Sequence, residues 1–321
     1  MPLTAEEIEA LAARWRISSG RPLQPLRIHT DTSDFFGLEY NDAVLLGGRA
    51  YLIRQNAKEG RFGLDDEVKH WVKKAIELDT GRYKFIKLVF YEKFMAHVGG
   101  IAFECFRSPK KEARILRLVQ GHPNFMQGFG IEDAAGNTVR VLDQIYGKPL
   151  STFVENLELD HQRYFHDHLP LIMDNFIECT EAVRFLHQNG EKHGDIRRDH
   201  ILIDRETEKY RWIDFDFSYR HRENIYGYDL FGLGNILIFL VGKGDVTLPA
   251  LKKRADPALD QLSDADLNIV FHNRVANLRK LFPYVPEALN RVLMHFSKGA
   301  HWFYEHTGQL LEDLGAARGS L

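Results

Sequence analysis

The sequence predicts an α+β chain in which a smaller strand-rich half precedes a larger helix-rich half. Two observations carry this. From about residue 40 to 150, short apolar runs are punctuated by Gly, Asp and Thr, with one helical pattern among them. Beyond about 150, apolar residues recur at helical spacing over longer stretches. A length of 321 residues suits one large two-part unit or two domains.

The elements follow in order. Thr4 with Glu7 resembles a capping box ahead of a short amphipathic helix. Residues 17 to 38 mix Ser, Gly, Pro and Asp as a loop does, and residues 1–38 read as an N-terminal extension. Ala75–Leu78, Asp79-Thr80-Gly81 and Tyr83–Phe90 read as strand, turn and strand. Lys110 to Gln120 reads as a helix, with Ile115, Leu118 and Val119 on one face and Gly121 and Pro123 closing it. Val139–Ile145 is a further strand, ending before Gly147. Phe165 to Gln188 reads as one long amphipathic helix, and Phe231–Val241, Pro286–Phe296 and Ser297–Leu314 as three more. There is no internal repeat or low-complexity tract.

Composition narrows the function classes. Apolar residues make up 44% and charged residues 27%, as in an ordinary folded protein. Forty-two Lys and Arg face 45 Asp and Glu, a formal net charge of -3, so nothing draws the whole chain to nucleic acid or to an anionic membrane. Cys105 and Cys179 are too few for a disulfide framework and read as buried thiols. The acidic N-terminus lacks the apolar core of a secretory signal, and Leu233–Val241 is too short to span a bilayer. A cytoplasmic location and no membrane span are the expectations. His161, His166 and His168 could in principle bind metal, but a wet helix start is the favoured reading.

Two segments carry chemistry: Lys192-His-Gly-Asp-Ile-Arg-Arg-Asp-His-Ile-Leu-Ile-Asp204 and Trp212-Ile-Asp-Phe-Asp-Phe217. Asp195 precedes one apolar strand and Asp214 ends the next, so a strand pair could bring both carboxylates to one place. Phosphoryl transfer from ATP needs such a pair, one carboxylate to orient the attacking hydroxyl and one to hold Mg²⁺. Taken singly, Asp195 could be a loop aspartate serving backbone N–H groups, and Asp214 a strand-end carboxylate. Lys87 lies between Phe85-Ile86 and Leu88-Val89, which argues for a buried strand whose Lys needs a partner.

In order along the chain, these residues resemble the protein-kinase-like superfamily. Lys87 is similar to the strand lysine that grips the α- and β-phosphates, and Glu112 to the helix glutamate that pairs with it. Gly121-His-Pro-Asn follows as in that family, and Asp143-Gln-Ile-Tyr146 is similar to the hinge, implying adenine contacts at Asp143 and Ile145. His193-Gly-Asp195 with His200 resembles the catalytic loop H-x-D-x-x-x-x-N, and Asp214-Phe-Asp216 the metal-binding D-F-G. Asp229 matches the aspartate that braces the catalytic loop. Lys58-Glu-Gly60-Arg-Phe-Gly63 resembles a glycine-rich phosphate loop, with Gly47-Gly48 as the rival and an ordinary hairpin turn as the alternative for either.

The resemblance implies a two-lobed fold, with a β-rich lobe over 39–146, a helical lobe over 147–321, and ATP between them. It implies ATP with Mg²⁺ or Mn²⁺, Asp195 as base, Arg197 on the transferring phosphoryl group, and Asp214 with His200 as metal ligands. Four departures stand out. His200 replaces the usual Asn, as in lipopolysaccharide kinases, and imidazole is a poor partner for hard Mg²⁺. Gly194 replaces the Arg of H-R-D, and Asp216 the Gly of D-F-G, both as in aminoglycoside and choline kinases. Asp229 follows Asp214 closely with no A-P-E between, so the usual peptide platform is not expected. Trp302 to Leu314 nevertheless resembles the closing helices of Ser/Thr protein kinases. Three functions follow: a kinase acting on protein Ser or Thr, a kinase acting on a small-molecule or glycan hydroxyl, or a nucleotide-binding pseudokinase scaffold.

Overall fold

A computed structural model describes residues 3–16, 25–59, 67–98, 101–220 and 224–321. In chain order it contains α1 (Ala5–Ala13), β1 (Ile28–His29), β2 (Ala43–Leu46), β3 (Arg49–Glu59), β4 (Glu67–Glu77), β5 (Tyr83–Lys87), β6 (Lys93–Val98) and β7 (Ile101–Arg107). Then come α2 (Pro109–Leu118), β8 (Gly128–Glu132), β9 (Thr138–Asp143), β10 (Gly147–Pro149), α3 (Leu150–Glu155), α4 (His161–Asp167) and α5 (Leu169–Gln188). The rest is β11 (Ile201–Asp204), β12 (Tyr210–Trp212), β13 (Phe217–Arg220), α6 (Gly227–Val241), α7 (Leu248–Lys253), α8 (Glu287–Met294) and α9 (Thr307–Arg318). The order is that of an α+β chain, strands first and helices after.

Two compact units emerge. The first comprises Met1–Glu92, Arg107–His122 and Met126–Ile145; the second comprises Lys93–Phe106, Pro123–Phe125 and Tyr146–Leu321.

The first unit is built on a seven-stranded sheet of order β1-β2-β3-β4-β5-β9-β8. Strand alternation splits its side chains between two clusters. Tyr51 and Ile53 join Val44, Ala75, Ile86, Leu88 and Val141 in one. Ala50 and Leu52 join Ile8 and Ala12 of α1 in the other. The Thr4–Glu7 capping box is formed, satisfying backbone donors at the start of α1. Helix α2 packs on β8 and β9. Ser108 caps it, accepting from the Lys111 N–H, and Pro109 occupies its first turn, where a missing N–H costs nothing.

In the second unit α6 is buried almost all round, as its continuous Leu-Phe-Gly-Leu-Gly-Asn-Ile-Leu-Ile text requires. Helix α5 buries Phe176, Cys179, Val183 and Leu186. Two three-stranded sheets complete the unit, β10-β11-β12 and β13-β7-β6.

Local differences from the sequence expectations have physical causes. The helix expected over 165–188 is two helices broken at His168, because Pro170 supplies no N–H to continue the ladder. The helix expected over 297–314 begins only at Thr307, where the His306 side chain caps it by accepting from the Gln309 N–H. The strand expected over 83–90 ends at Lys87. No helix among the described residues is long and apolar enough to cross a membrane.

Candidate active site

The first unit holds a cluster of three charged side chains. Lys87 ends β5, and in the antiparallel register its direct neighbour on β9 is Arg140. Glu112 stands on α2 and meets both: Lys87 Nζ donates to its Oε1 at 2.9 Å and Arg140 Nε to its Oε2 at 2.9 Å. The side chains are 6%, 0% and 1% exposed for Lys87, Glu112 and Arg140, so each charge needs the others. Arg140 Nη1 also donates to the carbonyls of Thr138, at 2.8 Å, and Leu88, at 3.2 Å. The pairing of Lys87 with Glu112 is the one the sequence order anticipates. Arg140 was not anticipated, although its place between Val139 and Val141 marks a buried strand position.

The other expected residues of this unit are placed as follows. Asp143 ends β9, pairs with Lys84, and spends its N–H on the Gln127 carbonyl. It could therefore offer a nucleobase only its carbonyl. Ile145 is half-buried just beyond. Gly60 and Gly63 lie outside the described residues, in the segment joining β3 to β4. Gly47 and Gly48, the rival placement, form the two-residue turn between β2 and β3, with φ of 56° and 79°. A primed turn needs positive φ at both positions, so this pair is a hairpin turn.

The second unit gathers carboxylates. Strands β11 and β12 pair with Ile201 opposite Trp212, and the Ile213 N–H donates to the His200 carbonyl at 2.9 Å. That pairing brings the loop before β11 beside the segment after β12. His200 lies between the two aspartates: its Nδ1 is 2.9 Å from the Asp195 carbonyl oxygen and 3.5 Å from Asp195 Oδ2, and its Nε2 is 3.8 Å from Asp214 Oδ2. A carbonyl only accepts, so Nδ1 carries a proton, and Nε2 faces Asp214.

Asp214 has φ of 62°, a left-handed conformation that costs a non-glycine residue about 1 kcal/mol or more. Burial pushes the Asp195 carboxyl above its ordinary range, and the charges of Asp214 and Asp216 push the same way against His200 and Arg197. Arg197 grips Asp199 with two nitrogens, Nε at 3.0 Å and Nη2 closer still. Asp199 was missed by the sequence reading. Its carboxyl is held below the usual range: burial opposes this, and the charges of His200 and Arg197 prevail.

Asp229, at the start of α6, braces the loop from behind. Its Oδ2 accepts the His193 N–H at 2.8 Å and the His187 Nε2–H at 3.0 Å, and its Oδ1 accepts the Gly194 N–H at 2.8 Å. Burial alone would raise this carboxyl, but the hydrogen bond and charge of His187 hold it low.

Among the described residues no three His, Cys, Asp or Glu side chains form a metal cage. The donor set at Asp214 and His200 is one carboxylate and one imidazole nitrogen. That set fits a divalent ion whose remaining ligands are phosphate and water, with Mn²⁺ better suited than Mg²⁺ to the imidazole. His161, by contrast, spends both ring nitrogens on Tyr284 Oη, at 2.7 Å, and the Val241 carbonyl, at 2.8 Å, and stacks on Phe282. It is a packed side chain rather than a wet one.

No protein-family model matches the chain. The crystal structure of the Mycobacterium tuberculosis PknI kinase domain covers 85% of this chain and 98% of its own, at 13% identity and a TM-score of 0.46. The mouse 2-5A-dependent ribonuclease is 30% identical over 176 residues, 51% of this chain and 22% of that protein. The Saccharomyces cerevisiae serine/threonine-protein kinase SSK22 is 28% identical over 130 residues, 40% of this chain and 9% of that protein. The chain is protein-kinase-like. It spans 22% and 9% of the lengths of the two curated relatives. In the chain α2 carries Glu112, β11 follows the loop that holds Asp195 and His200, β12 precedes Asp214, and α6 carries Asp229.

Proposed function

We propose that the chain is an ATP-dependent phosphotransferase that moves the γ-phosphate to a hydroxyl of a protein Ser or Thr. The observation that carries this is the placement of the His200 ring between Asp195 and Asp214. Similarity to a serine/threonine kinase supports the choice of acceptor. In this reading Lys87, held by Glu112, binds the α- and β-phosphates, while the carbonyl of Asp143 and the backbone of Ile145 take the adenine. Asp214, with His200, holds a divalent ion, which neutralises phosphate charge when bound. Asp195 accepts the proton of the attacking hydroxyl as the new O–P bond forms and ADP leaves. A carboxyl raised by burial is a better base for that step than an ordinary one. Arg197, oriented by its fork on Asp199, stabilises charge on the transferring group.

One observation favours a second acceptor class. Fourteen residues separate Asp214 from Asp229, and Phe217–Arg220 among them form β13, paired with β7, leaving little chain to form a peptide platform. A small-molecule or glycan hydroxyl suits such a site.

The test is γ-labelled ATP with Mg²⁺ or Mn²⁺, with a lysate divided into protein and small-molecule fractions as acceptor. Label in protein Ser or Thr supports the first reading, and label in the small-molecule fraction supports the second. Asp195→Ala should cut transfer by about 10²–10⁴-fold while ATP binding persists. ATP binding without transfer to either fraction would leave a pseudokinase, and undiminished transfer by Asp195→Ala would overturn the base assignment.

A further inference from the structure

We propose that Arg140 is a positioning residue that makes the Lys87–Glu112 pair permanent, so that α2 does not act as a switch. The proposal rests on the reading of Lys87 as a phosphate-binding residue and goes beyond it. Lys87 and Arg140 face each other across β5 and β9, where like charges repel unless a counter-charge lies between them. Glu112 is that counter-charge, and each of its oxygens takes one cation.

The geometry is not symmetric in what anchors it. Arg140 is tied to its own sheet by the carbonyls of Thr138 and Leu88, so the fork is fixed before α2 arrives. Glu112 is supplied by a separate element, the helix α2. If α2 moved away, a buried guanidinium and a buried ammonium would lose their carboxylate together.

A second observation points the same way. A Cβ added to Gly130 on β8 would lie 2.4 Å from the Ala113 Cβ, so the helix sits against the strand at the residue next to Glu112. The carboxylate is thus held from one side by the cation fork, and the helix backbone from the other by a contact only glycine permits. Arg140 acts on nucleotide binding through Glu112: it keeps Oε1 aimed at Lys87 and absorbs half of the carboxylate, leaving Lys87 more of its charge for phosphate.

The experiment pairs two readouts on the full chain. Amide hydrogen exchange over Pro109–Leu118 needs no nucleotide. Arg140→Gln should speed it at least tenfold, and Arg140→Lys should speed it less. Equilibrium binding of ATP with Mn²⁺ should weaken about tenfold in Arg140→Gln and recover in part in Arg140→Lys. In a Glu112→Gln background, Arg140→Gln should add nothing. Unchanged α2 exchange in both Arg140 variants, or an equal loss of affinity with and without Glu112, would overturn the proposal. If Arg140→Gln fails to fold, Arg140→Lys decides it by the same exchange readout. A parent that does not bind ATP, or a Lys87→Met variant that binds it fully, would instead sink the nucleotide reading, and the exchange result would still judge the clamp.

Discussion

The two units solve opposite electrostatic problems. The first buries two cations around one carboxylate, all three locked by side chains that reach each other across a sheet and a helix. The second sets Asp195 and Asp214 about a single imidazole, with the charge of Asp216 acting on Asp195, in a loop held from behind by the backbone contacts of Asp229. One cluster is cation-rich and its order comes from side chains. The other is carboxylate-rich and its order comes from backbone. By charge alone, an anion would suit the first cluster and a cation the second.

The comparison breaks most visibly at Asp229. Asp229→Ala leaves the buried N–H groups of His193 and Gly194 and the ring of His187 without their acceptor, and should cost about 3–5 kcal/mol in a urea titration. Exchange protection should fall at residues 193–200, while amides of β5 and β9 hold. Uniform loss across both units would mean the two clusters are not independently supported.

A smaller effect separates what each cluster binds. Lys87→Met should weaken ATP binding with or without metal, by about 1.5–3 kcal/mol if it removes one charge-assisted contact. Asp214→Asn should instead abolish the gain that Mn²⁺ gives, leaving metal-free binding near the parent level. Calorimetric titration in EDTA and in Mn²⁺ distinguishes the two. A Lys87 variant whose deficit appears only with metal would merge the clusters into one.

The smallest effect sharpens how a carboxylate is tuned in each unit. Asp133 in the first unit receives hydrogen bonds from Thr32, Ala135 and Asn137. Burial works against them, yet they bring its carboxyl down to about 2, whereas burial raises Asp195 in the second unit. Because the folded value lies below the unfolded one, the stabilisation is complete above about pH 4 and drains away as pH falls toward 2. It amounts to at most about 2 kcal/mol. Asp133→Asn should lose that much at neutral pH and flatten the acid limb of the stability curve, read by urea midpoints between pH 2 and 6. An unchanged acid limb would show that another group controls it.

Much of this was legible in the sequence because the relevant signals are local. The strand Lys87 between apolar pairs, the helix carrying Glu112 closed by Gly121, and the order Asp195, His200, Asp214 all survive translation into structure. Arg140 was not legible because its role depends on sheet register: only the pairing of β5 with β9 sets it beside Lys87. Asp199 was hidden for a different reason: Arg197 is extended and Asp199 lies in the short turn Arg198–His200, so no regular period marks the pair. The hairpin of β6 and β7 had a signal, alternating apolar residues on either side of Gly99-Gly100, but its partner β13 lies more than a hundred residues on.

That hairpin sets how the molecule can be taken apart. The chain leaves the first unit after Glu92, contributes two strands to the second, and returns at Arg107 to build α2. A fragment ending near residue 145 would therefore carry β6 and β7 without the strand that completes their sheet, uncovering the buried Phe103 and Cys105 of β7 beside an open edge. Such a fragment should aggregate rather than behave as a separable piece, and a protease cutting between Glu92 and Lys93 would nick both units in one stroke.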